Sequence, residues 1–188
     1  MKRRTHNRIQ ISCAEGLYLY LALLALLIPL RLLAAASISA VIHELFHIGA
    51  IRFVGKKILA IYVGPRGAVI HTQCLNGKEE LLCALAGPLG SMLLLLFFRW
   101  MPIIALTGAV QAMYNLLPLY PTDGGRALVI CMHALFSEDV AFKIVYWTEA
   151  VTLSILTAIC VYASIKLCLG IIPIAFAGVL LFRWAKRK

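Results

Sequence analysis

Residues 40–50 read Ala-Val-Ile-His-Glu-Leu-Phe-His-Ile-Gly-Ala, and AVIHELFHIGA sets His43, Glu44 and His47 inside an otherwise apolar run. A charged side chain near the centre of a bilayer costs about 2.5–3.5 kcal/mol on insertion scales. Such groups persist where they face a cavity, pair with each other or bind a metal. On a helix, His43 and His47 are four residues apart and project from one face. Two imidazoles at that spacing can hold one zinc ion, with bonds of about 2.0–2.1 Å. Glu44 then points beside the metal, where the general base of an H-E-x-x-H motif stands. The same three residues also fit two packing histidines and a hydrogen-bonded glutamate. A catalytic zinc takes three protein ligands and keeps one position open, so the metal reading demands a third ligand elsewhere.

The apolar setting extends along the chain. Of 188 residues, 62% are hydrophobic and 14% charged, against about half and a quarter in soluble domains. The excess collects in blocks long enough to span a membrane, roughly 17–25 residues each. Apolar runs cover about 16–30, 32–54, 79–98, 101–117, 142–165 and 169–185, with a shorter piece at about 126–136. Residues 58–76 differ: β-branched and aromatic residues surround Gly64-Pro65-Arg66-Gly67, the signature of a short hairpin. The expected architecture is an all-α polytopic membrane protein of about six transmembrane helices. A short membrane-associated β-hairpin lies between the second and third, and residues 1–188 form a single domain.

Six crossings put both termini on one side of the membrane. Of the 18 Lys and Arg residues, only Arg31, Arg99 and Lys166 then fall on the other. The positive-inside tendency therefore predicts cytoplasmic termini. The net charge of +10 reads as a topology signal, because Lys2, Arg3, Arg4 and Arg8 precede the first block and Arg183, Lys186, Arg187 and Lys188 end the last. No basic-aromatic face suggests nucleic acid. The six cysteines contain no C-x-x-C pair and read as small reduced hydrophobes.

Residues 115–125, Asn-Leu-Leu-Pro-Leu-Tyr-Pro-Thr-Asp-Gly-Gly, supply the third ligand. Asp123 is one of two aspartates in the chain and closes an apolar run at a turn of two prolines and two glycines. The prolines end the helix, and the glycines permit tight geometry beyond the carboxylate. Irregular backbone at membrane depth survives only buried in protein or lining a water-filled cavity. Taken alone, the segment also fits an ordinary loop with a surface aspartate.

An H-E-x-x-H in an early span, followed by N-x-x-P-x-x-P-x-D-G-G in a later one, resembles the site-2 protease family of intramembrane zinc metalloproteases. Ala86-Gly87-Pro88-Leu89-Gly90-Ser91 is similar to the family's A-G-P-x-x-N stretch. The likeness covers nearly the whole chain and is greatest to small six-span sporulation-type members. It implies His43, His47 and Asp123 as ligands of one Zn2+ per chain and Glu44 as the catalytic base. It makes Asn115 a polar residue near the active site, contacting substrate backbone or the developing oxyanion. It further implies an intramembrane endopeptidase of the bacterial cell membrane, acting on a membrane-embedded or membrane-associated protein. For sporulation-type members that substrate is a sigma-factor precursor, and a regulatory membrane partner is in keeping.

The chain departs from the family at three places: Phe46 stands where glycine is common, Thr122 where leucine is usual, and Ser91 where asparagine is frequent. The alternative is a non-catalytic membrane protein of the same fold that binds or escorts another protein. Loss of Glu44 or of a ligand would mark it, and all four groups are present. A metal or haem carrier would leave Glu44, Asp123 and the proline-glycine turn without a role. His71 and His133 read as ordinary polar contacts, since a fourth protein ligand would close the site. Glu149, deep in the fifth run, either faces the cavity or pairs with a Lys or Arg.

Overall fold

A computed structural model describes residues 10–64, 67–168 and 170–186. Lys2, Arg3, Arg4, Arg8, Arg66, Arg187 and Lys188, which carry part of the charge argument, lie outside the described residues. The chain forms two compact units, Met1–Leu116 and Leu117–Lys188.

The first unit runs β1 (Gln10–Cys13), α1 (Gly16–Leu27), α2 (Leu30–Phe53), β2 (Ile58–Gly64), β3 (Gly67–Thr72), α3 (Gly77–Leu93, continued by a 3-10 turn over Leu94–Phe97) and α4 (Pro102–Asn115). Pro29 separates α1 from α2: it holds Ile28 extended, and its own carbonyl accepts from Leu33 to open the next helix. Asn76 starts α3 with a capping box, its side chain accepting from Glu79 N–H at 2.9 Å while Glu79 accepts from Asn76 N–H at 2.9 Å. Ala84, Ala105 and Ala112 are buried, which lets the backbones of α3 and α4 approach closely. Ser39 of α2, fully buried, donates to Gln111 Oε1 of α4 at 2.7 Å.

The second unit is α5 (Asp123–Leu135), α6 (Glu138–Lys166) and α7 (Ile172–Ala185). The Tyr146 and Trp184 rings pack α6 against α7, with centroids 5.3 Å apart.

Every apolar run of the sequence becomes a helix, but not all at full length. Leu30–Phe53, Gly77–Phe97 and Glu138–Lys166, of 24, 21 and 29 residues, are long and apolar enough to cross a membrane. Helices α1, α4 and α7 have 12, 14 and 14 residues, about 18–21 Å at 1.5 Å per residue against a hydrocarbon core of about 30 Å. Proline and glycine at their ends trim the apolar runs. Helix α1 buries none of its residues, and Leu19, Leu23, Leu26 and Leu27 stand exposed. Apolar exposure on that scale is untenable in water and natural against lipid tails. The chain is a polytopic membrane protein.

The hairpin expected at 58–76 is present as β2–β3, but it belongs to a three-stranded sheet of order β1-β2-β3. β1 pairs parallel to β2, with Gln10 opposite Ala60 and Cys13 opposite Val63. Its four residues lie in a stretch that reads as basic tail, too short for alternation to register. The fold therefore corrects an all-helical-plus-hairpin expectation by one strand. Asn76-Gly77, which as a turn dipeptide at the end of the 58–76 stretch reads as part of the hairpin, belongs to the α3 cap.

Candidate metal centre

Helix α2 carries His43 and His47 on one face, as their spacing requires. His43 is buried, His47 is half-buried, and their Nε2 atoms are 3.1 Å apart. Each ring is held from behind through Nδ1. His47 Nδ1 donates to the Cys83 carbonyl at 2.7 Å, in the helical turn preceding Pro88. His43 Nδ1 lies 3.0 Å from Ser91 Oγ, in a fully buried contact. A carbonyl only accepts, so the His47 proton sits on Nδ1 and its Nε2 offers a lone pair. Ser91 Oγ can accept the Nδ1 proton of His43 and free that Nε2 in the same way. Two nitrogens at about 2.05 Å from one tetrahedral ion stand about 3.3 Å apart, close to the observed separation.

Gly87 of α3 lies directly beneath the two rings. A Cβ there would sit 2.2 Å from His47 Nε2 and 2.8 Å from His43 Cε1. The backbone of α3 thus forms a floor that only glycine leaves open.

Glu44 is half-buried, and its Oε1 accepts from Ala68 N–H of β3 at 3.4 Å. That N–H points away from β2, along the free edge of the sheet. The Val63 carbonyl opposite is taken by Ala14 N–H at 2.8 Å on the other side, which gives the same orientation. Asn115, the last residue of α4, has Nδ2 3.5 Å from His43 Nε2.

In the second unit Asp123 is the first residue of α5 and is buried. The turn before it is tightly bonded, as Thr122 Oγ1 approaches the Leu117 and Leu119 carbonyls at 2.6 Å and accepts from Gly125 N–H at 3.3 Å. A Cβ on Gly125 would meet the Leu119 carbonyl carbon at 2.4 Å. The glycine lets the helix start fold back on its own loop. His43 and His47 of the first unit and Asp123 of the second are each donors of the kind a metal ion takes. His71 stacks edge-on to Tyr62, and His133 Nδ1 bonds to Val129 O one turn back in its own helix. His133 makes a polar contact of the ordinary kind, and the contact of His71 is an aromatic one. Glu149 was expected at the cavity or opposite a basic side chain, and the structure gives it a backbone partner, Tyr120 N–H, at 3.0 Å.

No family model matches the chain. It is 26% identical to the stage IV sporulation protein FB of Bacillus subtilis over 93% of its own length and 62% of that protein's. It is 31% identical to a zinc metalloprotease of Methanocaldococcus jannaschii over 48% of its length and 31% of the relative's. The chain therefore spans about a third of one curated relative and under two thirds of the other. The solved site-2 protease of Methanocaldococcus jannaschii shares its fold, with a TM-score of 0.62 at 21% identity, covering 95% of this chain and 91% of that one. The chain has the fold of a site-2 protease.

Each departure from the site-2 protease pattern has a structural counterpart here. The bulk of Phe46 is received by Gly90, where a Cβ would fall 2.3 Å from the Phe46 ring. The large residue on α2 is matched by a bare position on α3. Thr122 caps α5, a task leucine cannot perform. Ser91, in place of asparagine, still presents an oxygen to His43.

Proposed function

We propose that this chain is an intramembrane zinc endopeptidase, working as one domain over residues 1–188, that holds one zinc ion with His43, His47 and Asp123. The observation that carries the reading is the His43–His47 pair, 3.1 Å apart at Nε2, each ring held through Nδ1 above the bare backbone of Gly87. Two imidazoles and a carboxylate, with a glutamate alongside, suit a hydrolytic rather than a structural zinc. A bound zinc would supply a water acidified to a pKa of about 7 and polarise the scissile carbonyl. Glu44 takes the water's proton as its oxygen bonds to the carbonyl carbon, then delivers that proton to the amine as the C–N bond breaks. Asn115 donates an amide N–H to the oxygen that gains charge.

Asp123→Ala tests the ligand set. Zinc content of the purified protein should fall from one per chain to near none, exceeding the roughly 10–100-fold loss typical of a supporting residue. Full stoichiometry in that variant would remove Asp123 from the set.

In this reading the chain crosses a bacterial cell membrane six times, with α1, α4 and α7 as the shorter crossings and both termini cytoplasmic. The substrate is a membrane-embedded or membrane-associated protein. Likeness to a sporulation protein favours a membrane-held sigma-factor precursor, with a regulatory membrane partner. A cavity of about 520 Å³ between α2 and α4, lined by Leu32, Ala36, Ala40, Val110 and Tyr114 among others, offers apolar room one turn before His43.

A substrate helix must unwind before its amides can be attacked. The free edge of β3, which reaches Glu44 at Ala68, can take an extended stretch by strand addition. Alternation along an antiparallel pair turns the N–H of Ile70 outward like that of Ala68. Ile70→Pro removes that donor without breaking a bond to β2. Cleavage should drop at least tenfold, the factor that about 1.4 kcal/mol of lost pairing represents, with zinc content unchanged. Normal cleavage by Ile70→Pro would exclude edge pairing.

A further inference from the structure

A buried carboxylate in a membrane-spanning helix is expensive to keep, and the hydrolytic scheme makes no use of Glu149. It lies in α6, 4% exposed. Its Oε1 accepts the Tyr120 N–H at 3.0 Å.

The partner's position gives this bond its meaning. Between Pro118 and Thr122 the backbone donors can be traced completely. Pro118 and Pro121 have none, Leu119 N–H bonds to Leu117 O at 2.8 Å, and Thr122 N–H bonds to Leu119 O at 2.8 Å. Tyr120 alone sends its donor out of the loop, to α6. The rest of the turn is rigidly coupled to Asp123, since Thr122 caps the helix that Asp123 begins and Gly125 lies against the Leu119–Tyr120 peptide. Fixing Tyr120 therefore fixes the carboxylate three residues on. An ionised carboxylate makes a shorter, stronger bond to an N–H than a neutral acceptor does.

We propose that Glu149 is a positioning residue that anchors the 118–122 loop and thereby aims Asp123 as a metal ligand. The inference rests on the metal centre proposed above. Glutamine keeps an acceptor oxygen at the same reach, whereas leucine fills the space and leaves Tyr120 N–H unmet.

The test measures zinc affinity by chelator competition in detergent for the wild type, Glu149→Leu, Glu149→Gln, Asp123→Ala and the Asp123→Ala/Glu149→Leu double variant. Glu149→Leu should bind zinc about 10–100-fold more weakly, the usual cost of losing a group that orients a ligand, and Glu149→Gln should recover most of it. On the Asp123→Ala background Glu149→Leu should cost nothing more, because its effect passes through Asp123. Wild-type affinity in Glu149→Leu would overturn the proposal. So would an undiminished second loss in the double variant, which a general packing role produces. Amide exchange at Tyr120 supplies a readout independent of metal and of the leucine variant's folding. Protection in the wild type that Glu149→Gln largely keeps supports the anchor, and exchange as fast as a solvated loop in the wild type overturns it. A wild type that holds no zinc would instead refute the metal centre, leaving the anchor to be decided by exchange alone.

Discussion

Glu44→Gln is expected to abolish cleavage of a co-expressed membrane substrate while the purified protein keeps its zinc. Glutamine has nearly the shape of glutamate and can still accept from Ala68 N–H, so the local packing and the contact with β3 survive. It cannot take a proton from water. General-base catalysis contributes roughly 10²–10⁴-fold, and with transfer to the leaving amine lost as well the upper part of that range applies. The imidazoles are untouched, because Ser91 and the Cys83 carbonyl hold them independently of Glu44. Cleavage at the wild-type rate would eliminate the base assignment, while concurrent loss of zinc would move Glu44 into the ligand set.

What the sequence made legible follows the distance over which its signals act. The four-residue step from His43 to His47 is a helical repeat, and the structure sets both rings on one face. The hairpin is visible in its equally local turn residues, whereas Asn76-Gly77 reads as part of that hairpin and instead caps α3. Apolar runs gave the helices but overstated α1, α4 and α7, because hydrophobicity continues past the proline or glycine that stops the backbone. β1 escaped because a parallel partner is supplied by residues some 50 positions away, and four residues carry no period of their own. The supports of the site are also long-range: Ser91 reaches His43 across 48 positions, and Glu149 reaches Tyr120 across 29. Phe46 looked like a misfit until Gly90 appeared opposite it. A size change on one helix is interpretable only when the facing residue on its neighbour is known.

Gly87→Ala should remove zinc binding while leaving the helices formed, and the reason is steric. The added methyl carbon would fall 2.2 Å from His47 Nε2 and 2.5 Å from its Cε1. The ring cannot swing aside without giving up its 2.7 Å bond to the Cys83 carbonyl, which belongs to the same helix as the intruding methyl. Alanine raises helix propensity over glycine by about 0.8–1.0 kcal/mol, so α3 itself gains, and overpacking of about 1–3 kcal/mol falls on the imidazoles. Zinc affinity is expected to drop beyond the roughly 10–100-fold seen when a ligand loses its support, because the nitrogen itself is displaced. Gly90→Ala, nearly one turn further along α3, provides the contrast. Its methyl would meet the Phe46 ring at 2.3 Å and neither histidine within that contact shell. It should cost stability and be rescued by Phe46→Ala, with zinc stoichiometry kept throughout. Wild-type zinc affinity in Gly87→Ala would mean that the histidines bind with their rings turned away from α3, and the arrangement proposed for the metal would have to be abandoned.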